Sequence, residues 1–70
     1  MATQSDFNFH LNTKSLLHAD YEGISFFWEA GEDALTIEGR SYDRAIYLPK
    51  SSAAVAKRAM VKFIGETFNV

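Results

Sequence analysis

One apolar stripe near the C-terminal end of the chain constrains the fold more than any other feature. Its members recur every three or four residues: Ala56, Ala59, Met60, Phe63, Ile64 and Thr67. The residues opposite the stripe are Lys57, Arg58, Lys62 and Gly65. This spacing is typical of an amphipathic helix with one buried face. We therefore predict a helix from Ala53 to Thr67, with Ser51 or Ser52 as N-cap and Gly65 as a position where it could end early.

The central part of the chain alternates apolar and polar residues, which is the period of a half-buried strand. The clearest run extends from Ile24 to Glu29, with Ile24, Phe26 and Trp28 sharing one face. The loop at 30–33 contains a glycine and suits a hairpin. The return strand is predicted from Ala34 to Glu38. This hairpin is the best-defined strand pair in the sequence.

Weaker signals flank this hairpin. Phe7, Phe9 and Leu11 alternate with polar residues, which predicts a strand with these three on one face. Residues 15–21 fit a helical turn or a strand equally, and Glu22-Gly23 then marks a turn. After a predicted turn at 39–43, a further strand is expected from Arg44 to Leu48. It ends at Pro49, which has no N–H for the ladder.

Length and composition narrow the fold class. A chain of 70 residues, 47% hydrophobic, predicts a single domain over 1–70. We expect an α+β fold, with a small antiparallel sheet of three to five strands and one C-terminal helix packed on one face. The chain has no cysteine, which excludes disulfides and thiolate metal sites. Neither a signal-peptide pattern nor an apolar run of bilayer length occurs, so we expect a cytoplasmic protein.

A single helix can cover only one face of such a sheet. On the predicted register, the other face carries two large aromatic residues, Phe27 and Tyr47. Three alternatives follow. In the first, the N-terminal strand or residues 16–21 fold over the aromatics. In the second, the aromatics form an interface with a second copy or another protein. In the third, they stack on the bases of single-stranded nucleic acid.

Charge is distributed unevenly along the chain. Residues 1–39 hold seven acids and one base, whereas residues 40–70 hold six bases and two acids. The charges of the two halves pair within the fold, or they are simply solvated, or they form a dipolar surface that steers a charged partner. Glu29, Glu32 and Asp33 lie at the predicted hairpin tip, where they could meet a basic site on a partner. The candidate contacts for phosphates or an acidic partner are Arg40, Arg44, Lys50, Lys57, Arg58 and Lys62.

No residue pattern indicates catalysis. His10 lies on the polar side of a predicted strand and His18 lies in the ambiguous segment, and neither has the spacing of a metal-binding helix. We interpret both as surface histidines. Glu32 and Asp33 lie on a loop tip where nothing would tune a pKa for acid–base chemistry. We therefore expect a protein that is not an enzyme and that has no cofactor and no metal site.

Two resemblances bear on function. Residues 24–66 form a series of predicted strands followed by a helix, which the chain enters through Ile46-Tyr47-Leu48-Pro49. This order resembles the layout of small single-strand-binding coactivator domains. Short length without cysteines or catalytic motifs resembles the small accessory proteins of bacteriophages, which implies occlusion of a partner protein. We expect a non-enzymatic protein-binding module, an inhibitor or regulator, with single-stranded nucleic-acid binding as the alternative. We also predict a homodimer, because exposed Phe27 and Tyr47 leave apolar area in water.

Overall fold

A computed structural model describes residues 3–68 and contains one five-stranded antiparallel sheet with one helix against it. The elements are a 3₁₀ turn at Gln4–Asp6, β1 at Asn8–Asn12, β2 at Leu16–Tyr21, β3 at Ile24–Glu29, β4 at Ala34–Gly39, β5 at Tyr42–Tyr47 and α1 at Ala53–Phe68. The strands lie side by side in chain order. The predicted α+β fold with an antiparallel sheet and a C-terminal helix is confirmed.

The core lies between α1 and one face of the sheet. The buried strand residues are Leu17, Ala19, Ile24, Phe26, Trp28, Leu35 and Ile37. The helix contributes four members of the predicted stripe, Ala56, Met60, Phe63 and Ile64. The inward positions predicted for the central hairpin are thus confirmed.

Helix α1 begins where the sequence predicts. The Ser52 hydroxyl oxygen accepts a hydrogen bond from the Val55 N–H at 3.2 Å, so Ser52 is the N-cap. The helix continues through Gly65 to Phe68, and the early end considered at Gly65 does not occur. Burial of Phe63 and Ile64 just before the glycine outweighs its helix cost of about 1 kcal/mol.

The ambiguous segment is strand β2. It pairs with β1 on one side and β3 on the other, and its Leu17 and Ala19 are fully buried. A strand position fits because alternate residues of this segment then enter the core. No helix among residues 3–68 is long and apolar enough to cross a bilayer.

Two tight turns lie at the same end of the sheet. Glu22-Gly23 and Arg40-Ser41 each have positive φ at both residues, the geometry of a two-residue hairpin turn that matches strand twist. The prediction of a turn spanning 39–43 is therefore wrong in extent, since β4 reaches Gly39 and β5 begins at Tyr42. The Arg40 Nη1 donates to the Glu22 carbonyl oxygen at 3.1 Å and joins the two turns.

Strand β1 contains a β-bulge that changes which residues share a face. Phe9 lies opposite Ala19, but Leu11 lies opposite His18, so His10 is the extra residue. The predicted alternation, with Phe9 and Leu11 on one face, is therefore wrong. Phe9 packs against the core, whereas Leu11 is 43% exposed on the far side of the sheet. Phe7 is buried but precedes the strand.

Candidate functional site on the open face of the sheet

We call the face of the sheet turned away from α1 the open face. Its middle is a row of directly opposed residues, one from each strand: Leu11, His18, Phe27, Thr36 and Ala45. Phe27 is 37% exposed in the centre of this row. We call the exposed apolar residues in and beside this row, Leu11, Leu16 and Phe27, the apolar centre of the open face.

A polar row lies beside the apolar centre, toward the two tight turns. It consists of Asn8, Asp20, Ser25, Glu38 and Asp43, again one from each strand. Glu38 and Asp43 are directly opposed, and two carboxylates in that relationship destabilise a sheet. The two facing carboxylates make this row the acidic part of the open face.

The third row lies toward the other end of the sheet. Leu16 is opposed to Glu29, and Ala34 is opposed to Tyr47. Tyr47 is 80% exposed and Leu16 is 38% exposed. Leu16 and Tyr47 thus add exposed apolar area to the open face, with Glu29 beside Leu16.

Nothing within residues 3–68 packs over the open face. The alternative in which the N-terminal strand or residues 16–21 cover the aromatics is wrong, because both segments are strands of the sheet itself. Phe27 and Tyr47 therefore lie where the sequence predicts, on a face that α1 does not reach.

A groove of about 320 Å³ lies at one side of this face. Its walls include Leu11, Leu16, His18 and Phe27, with the acids Glu29 and Glu32 at its border. Two of the three predicted hairpin-tip acids thus line the same groove as the predicted aromatic Phe27. Asp33 is exposed outside the groove, and its backbone carbonyl accepts a hydrogen bond from the Leu48 N–H at 2.6 Å.

The predicted basic residues lie elsewhere. Arg44 is opposed to buried Ile37, and its guanidinium carbon is 5.8 Å from the Phe63 ring centre on the helix side. The Lys57 Nζ is 5.5 Å from the Phe9 ring centre, also on the helix side. Arg58 and Lys62 are exposed on α1, while Arg40 and Lys50 are exposed in turns. The three open-face rows contain carboxylates and neither lysine nor arginine.

The acidic and basic halves do not neutralise each other by contact. Within residues 3–68, no lysine or arginine nitrogen lies within 4 Å of a carboxylate oxygen, and the close contact of this kind is the hydrogen bond between His10 and Asp20. The alternative in which the two halves pair inside the fold is therefore wrong for the described part of the chain. The charges remain available to set the field around the molecule.

Two histidines and an aspartate meet on the open face beside the apolar centre. His10 Nε2 donates to Asp20 Oδ2 at 2.7 Å, and the Ser25 hydroxyl donates to Asp20 Oδ1 at 2.9 Å. The His10 and His18 ring centres are 4.8 Å apart. Hydrogen bonds, first from His10 and then from Ser25, lower the pKa of the Asp20 carboxyl below its usual value.

This His10–His18–Asp20 cluster was missed by reasoning from sequence alone. The spacing of His10 and His18 does not match that of a metal-binding helix, and these residues lie instead on paired strands. A signal was present, since His10 and His18 lie on either side of the short connection at 13–15, which an antiparallel hairpin brings together. The β-bulge was not predictable from alternation, and it places His10 on the same side as His18 and Asp20.

No family model, curated protein or solved structure matches this chain.

Proposed function

We propose that this chain is a non-enzymatic protein-binding module that covers a basic site on a partner protein with its open face. The observation that carries the proposal is the composition of that face. An exposed apolar centre of Leu11, Leu16 and Phe27 is bordered by carboxylates, with no lysine or arginine in its three rows. An apolar centre with a charged rim is the usual anatomy of a protein–protein interface.

The charge of the open face supports a basic surface as the partner. Glu29 and Glu32 border the groove, and Asp20, Glu38 and Asp43 form the neighbouring row. A partner surface with lysines or arginines around an apolar centre would match both parts of this pattern. Complementary charge of this kind raises the association rate and rejects acidic partners. A module held there would block access to the basic site, which is how an inhibitor without chemistry acts.

Binding of single-stranded nucleic acid would need aromatic side chains and basic side chains on one surface. Phe27 and Tyr47 lie among carboxylates, whereas Arg44 packs on the helix side. If the nucleobases of a single strand stacked on these aromatics, the neighbouring carboxylates would repel its phosphates. We expect no binding of a labelled oligo-dT strand in fluorescence anisotropy at low salt. Micromolar binding that weakens steeply with salt would favour the alternative over the proposal.

The homodimer prediction rests on the apolar area that Phe27 and Tyr47 leave exposed on the same open face, so a second copy would compete with a different protein for that surface. Two copies that met through their open faces would bring Glu38 and Asp43 of one copy toward the carboxylates of the other, which is unfavourable. The open face therefore suits a different protein better than a second copy. Light scattering tests this prediction, because a mass near 7.9 kDa at high concentration would contradict self-association.

The test of the proposed function is affinity capture with matched variants. The wild type, a Phe27→Ser variant and an Arg58→Glu/Lys62→Glu variant are each immobilised and exposed to lysate of the source cells. The proposal predicts a protein that is retained by the wild type and by the helix variant and lost with Phe27→Ser. A protein that is lost with the helix variant and retained by Phe27→Ser would place the binding surface on α1 and overturn the proposal.

A further inference from the structure

The His10–His18–Asp20 cluster carries an inference that does not depend on a protein partner. The potential ligand atoms of these three side chains all lie within 4.8 Å of one another. They come from two neighbouring strands, β1 and β2, and the bulge at His10 brings them to one side of the sheet. Two imidazoles and one carboxylate form a donor set that suits divalent transition ions.

We propose that His10, His18 and Asp20 bind one divalent transition ion of the Zn²⁺ type. A tetrahedral Zn²⁺ ion with three protein ligands holds those ligand atoms about 3.3 Å apart. The ligand atoms lie at most 4.8 Å apart. The 2.7 Å between His10 Nε2 and Asp20 Oδ2 is the distance of a hydrogen bond whose proton the ion would replace. The side chains of His10 and Asp20 are 44% and 39% exposed, so small rotations would complete the approach.

The neighbours of the cluster hold its ligands in place. The Ser25 hydroxyl donates to Asp20 Oδ1, which leaves Oδ2 directed at His10. His18 stacks on Phe27, with 4.4 Å between ring centres and 24° between ring planes. Within residues 3–68, the His18 side chain makes no hydrogen bond, so its ring nitrogens are free to bind an ion. Support of this kind, from groups behind the ligands, is typical of metal sites.

The fourth position of the ion would face away from the sheet. Nothing among residues 3–68 packs over this face, so water or a group from outside the chain would complete the coordination. Magnesium would not be held, because it requires oxygen ligands in an octahedral arrangement. We therefore expect the site to prefer Zn²⁺ to Mg²⁺, although the two ions carry the same charge.

Isothermal titration calorimetry of the full chain with ZnCl₂ at neutral pH tests the proposal. The matched variants are His10→Ala, His18→Ala and Asp20→Asn, with Asp43→Asn as the control that removes one carboxylate charge from the same row. We expect one Zn²⁺ per chain, at least about tenfold weaker binding in each of the three ligand variants, and binding like that of the wild type in Asp43→Asn. Circular dichroism of each variant verifies that it is folded.

Several results would overturn this proposal. They are the absence of saturable Zn²⁺ binding, equal binding of MgCl₂, unchanged affinity in both histidine variants, or equal weakening in Asp43→Asn and Asp20→Asn. An NMR titration with paramagnetic Co²⁺ gives an independent readout, since Co²⁺ takes the same ligands. The ring protons of His10 and His18 are expected to broaden before all others, and uniform broadening along the acidic row would contradict the site.

Discussion

The His18 imidazole stacks on the Phe27 ring, with ring centres 4.4 Å apart and ring planes at 24°. This contact joins the apolar centre of the open face to the His10–His18–Asp20 cluster. It also explains why Phe27 is only 37% exposed although nothing from the helix side reaches it. The proposed binding surface and the proposed metal site therefore share a border.

Phe27 and Trp28 are neighbours in β3 that face opposite sides of the sheet, and their substitutions should separate function from stability. Trp28 is 3% exposed, and its Nε1 donates to the Glu32 carbonyl oxygen at 2.9 Å. We expect Trp28→Ala to cost about 3–5 kcal/mol, a large part of what a small domain possesses. Phe27→Ala should cost only about 1 kcal/mol, since the ring is partly exposed. Urea denaturation of both variants measures the difference, and equal losses would contradict the assignment of faces.

Phe63 provides a second test of the core. Its ring packs edge-on against Phe26, with 5.9 Å between ring centres, and it is 5% exposed. Phe63→Ala should therefore lower the free energy of unfolding by about 3–5 kcal/mol. A loss no larger than that of Phe27→Ala would show that α1 does not pack on the sheet as described.

Substitutions at two glycines test the close approach of the two tight turns. Gly39 is the last residue of β4, beside one of these turns, and Gly31 lies in the loop between β3 and β4 and serves as the control. Both have positive φ, but only at Gly39 would a Cβ collide with the Gly23 carbonyl oxygen, whereas a Cβ at Gly31 meets nothing within 4 Å. Gly31→Ala should cost about 1 kcal/mol for the backbone conformation alone. Gly39→Ala should cost clearly more, because the two turns must separate. Chemical denaturation of the two variants provides the comparison, and similar losses would contradict the close approach of the turns.

The opposed acids Glu38 and Asp43 predict a stabilising substitution. Asp43→Asn removes the repulsion between two facing carboxylates and should raise the free energy of unfolding by roughly a few tenths of a kcal/mol. The gain should shrink at high salt, which screens exposed charges. Urea midpoints at low and high salt measure it. A gain that persists at high salt would have another origin.

Asp20 predicts a stability change in acid. Hydrogen bonds from His10 and Ser25 lower its pKa in the folded state below 3.8, its ordinary value. A depressed pKa contributes stability that is present above pH 3.8 and is lost as pH falls through the folded-state pKa. Asp20→Asn should therefore reduce the difference in stability between neutral and acidic pH. Urea midpoints of the wild type and of Asp20→Asn, measured at neutral and at acidic pH, test this prediction. If the two proteins lose the same stability between these pH values, Asp20 has no role in acid unfolding.

The sequence predicted most of the fold because its strands and helix are strongly amphipathic. The apolar residues Ile24, Phe26 and Trp28 alternate strictly, and the stripe of α1 holds its spacing to the end, so both buried faces were readable. The structure of residues 15–21 was not predictable, because an apolar pair at Leu16 and Leu17 fits both the helical and the strand period. Pairing with strands on both sides decides their structure, and that is a property of the whole sheet.

The candidate site was predicted only in part. Phe27, Tyr47 and Glu29 were placed on the open face by alternation alone, and all three lie there. The bulge in β1 could not be inferred, since one extra residue reverses every face that follows it. That reversal brings Leu11 to the apolar centre and His10 to His18, and both features of the site depend on it.

The central claim is that the acidic open face binds a basic partner, and the binding kinetics of a captured partner test it most directly. Glu29→Lys and Glu66→Lys change the net charge equally, one at the groove and one on α1 beside Lys62. We predict that Glu29→Lys slows association with the purified partner by about tenfold or more at low salt, while Glu66→Lys leaves it nearly unchanged. Equal rates for the two variants, or a loss confined to Glu66→Lys, would contradict the claim.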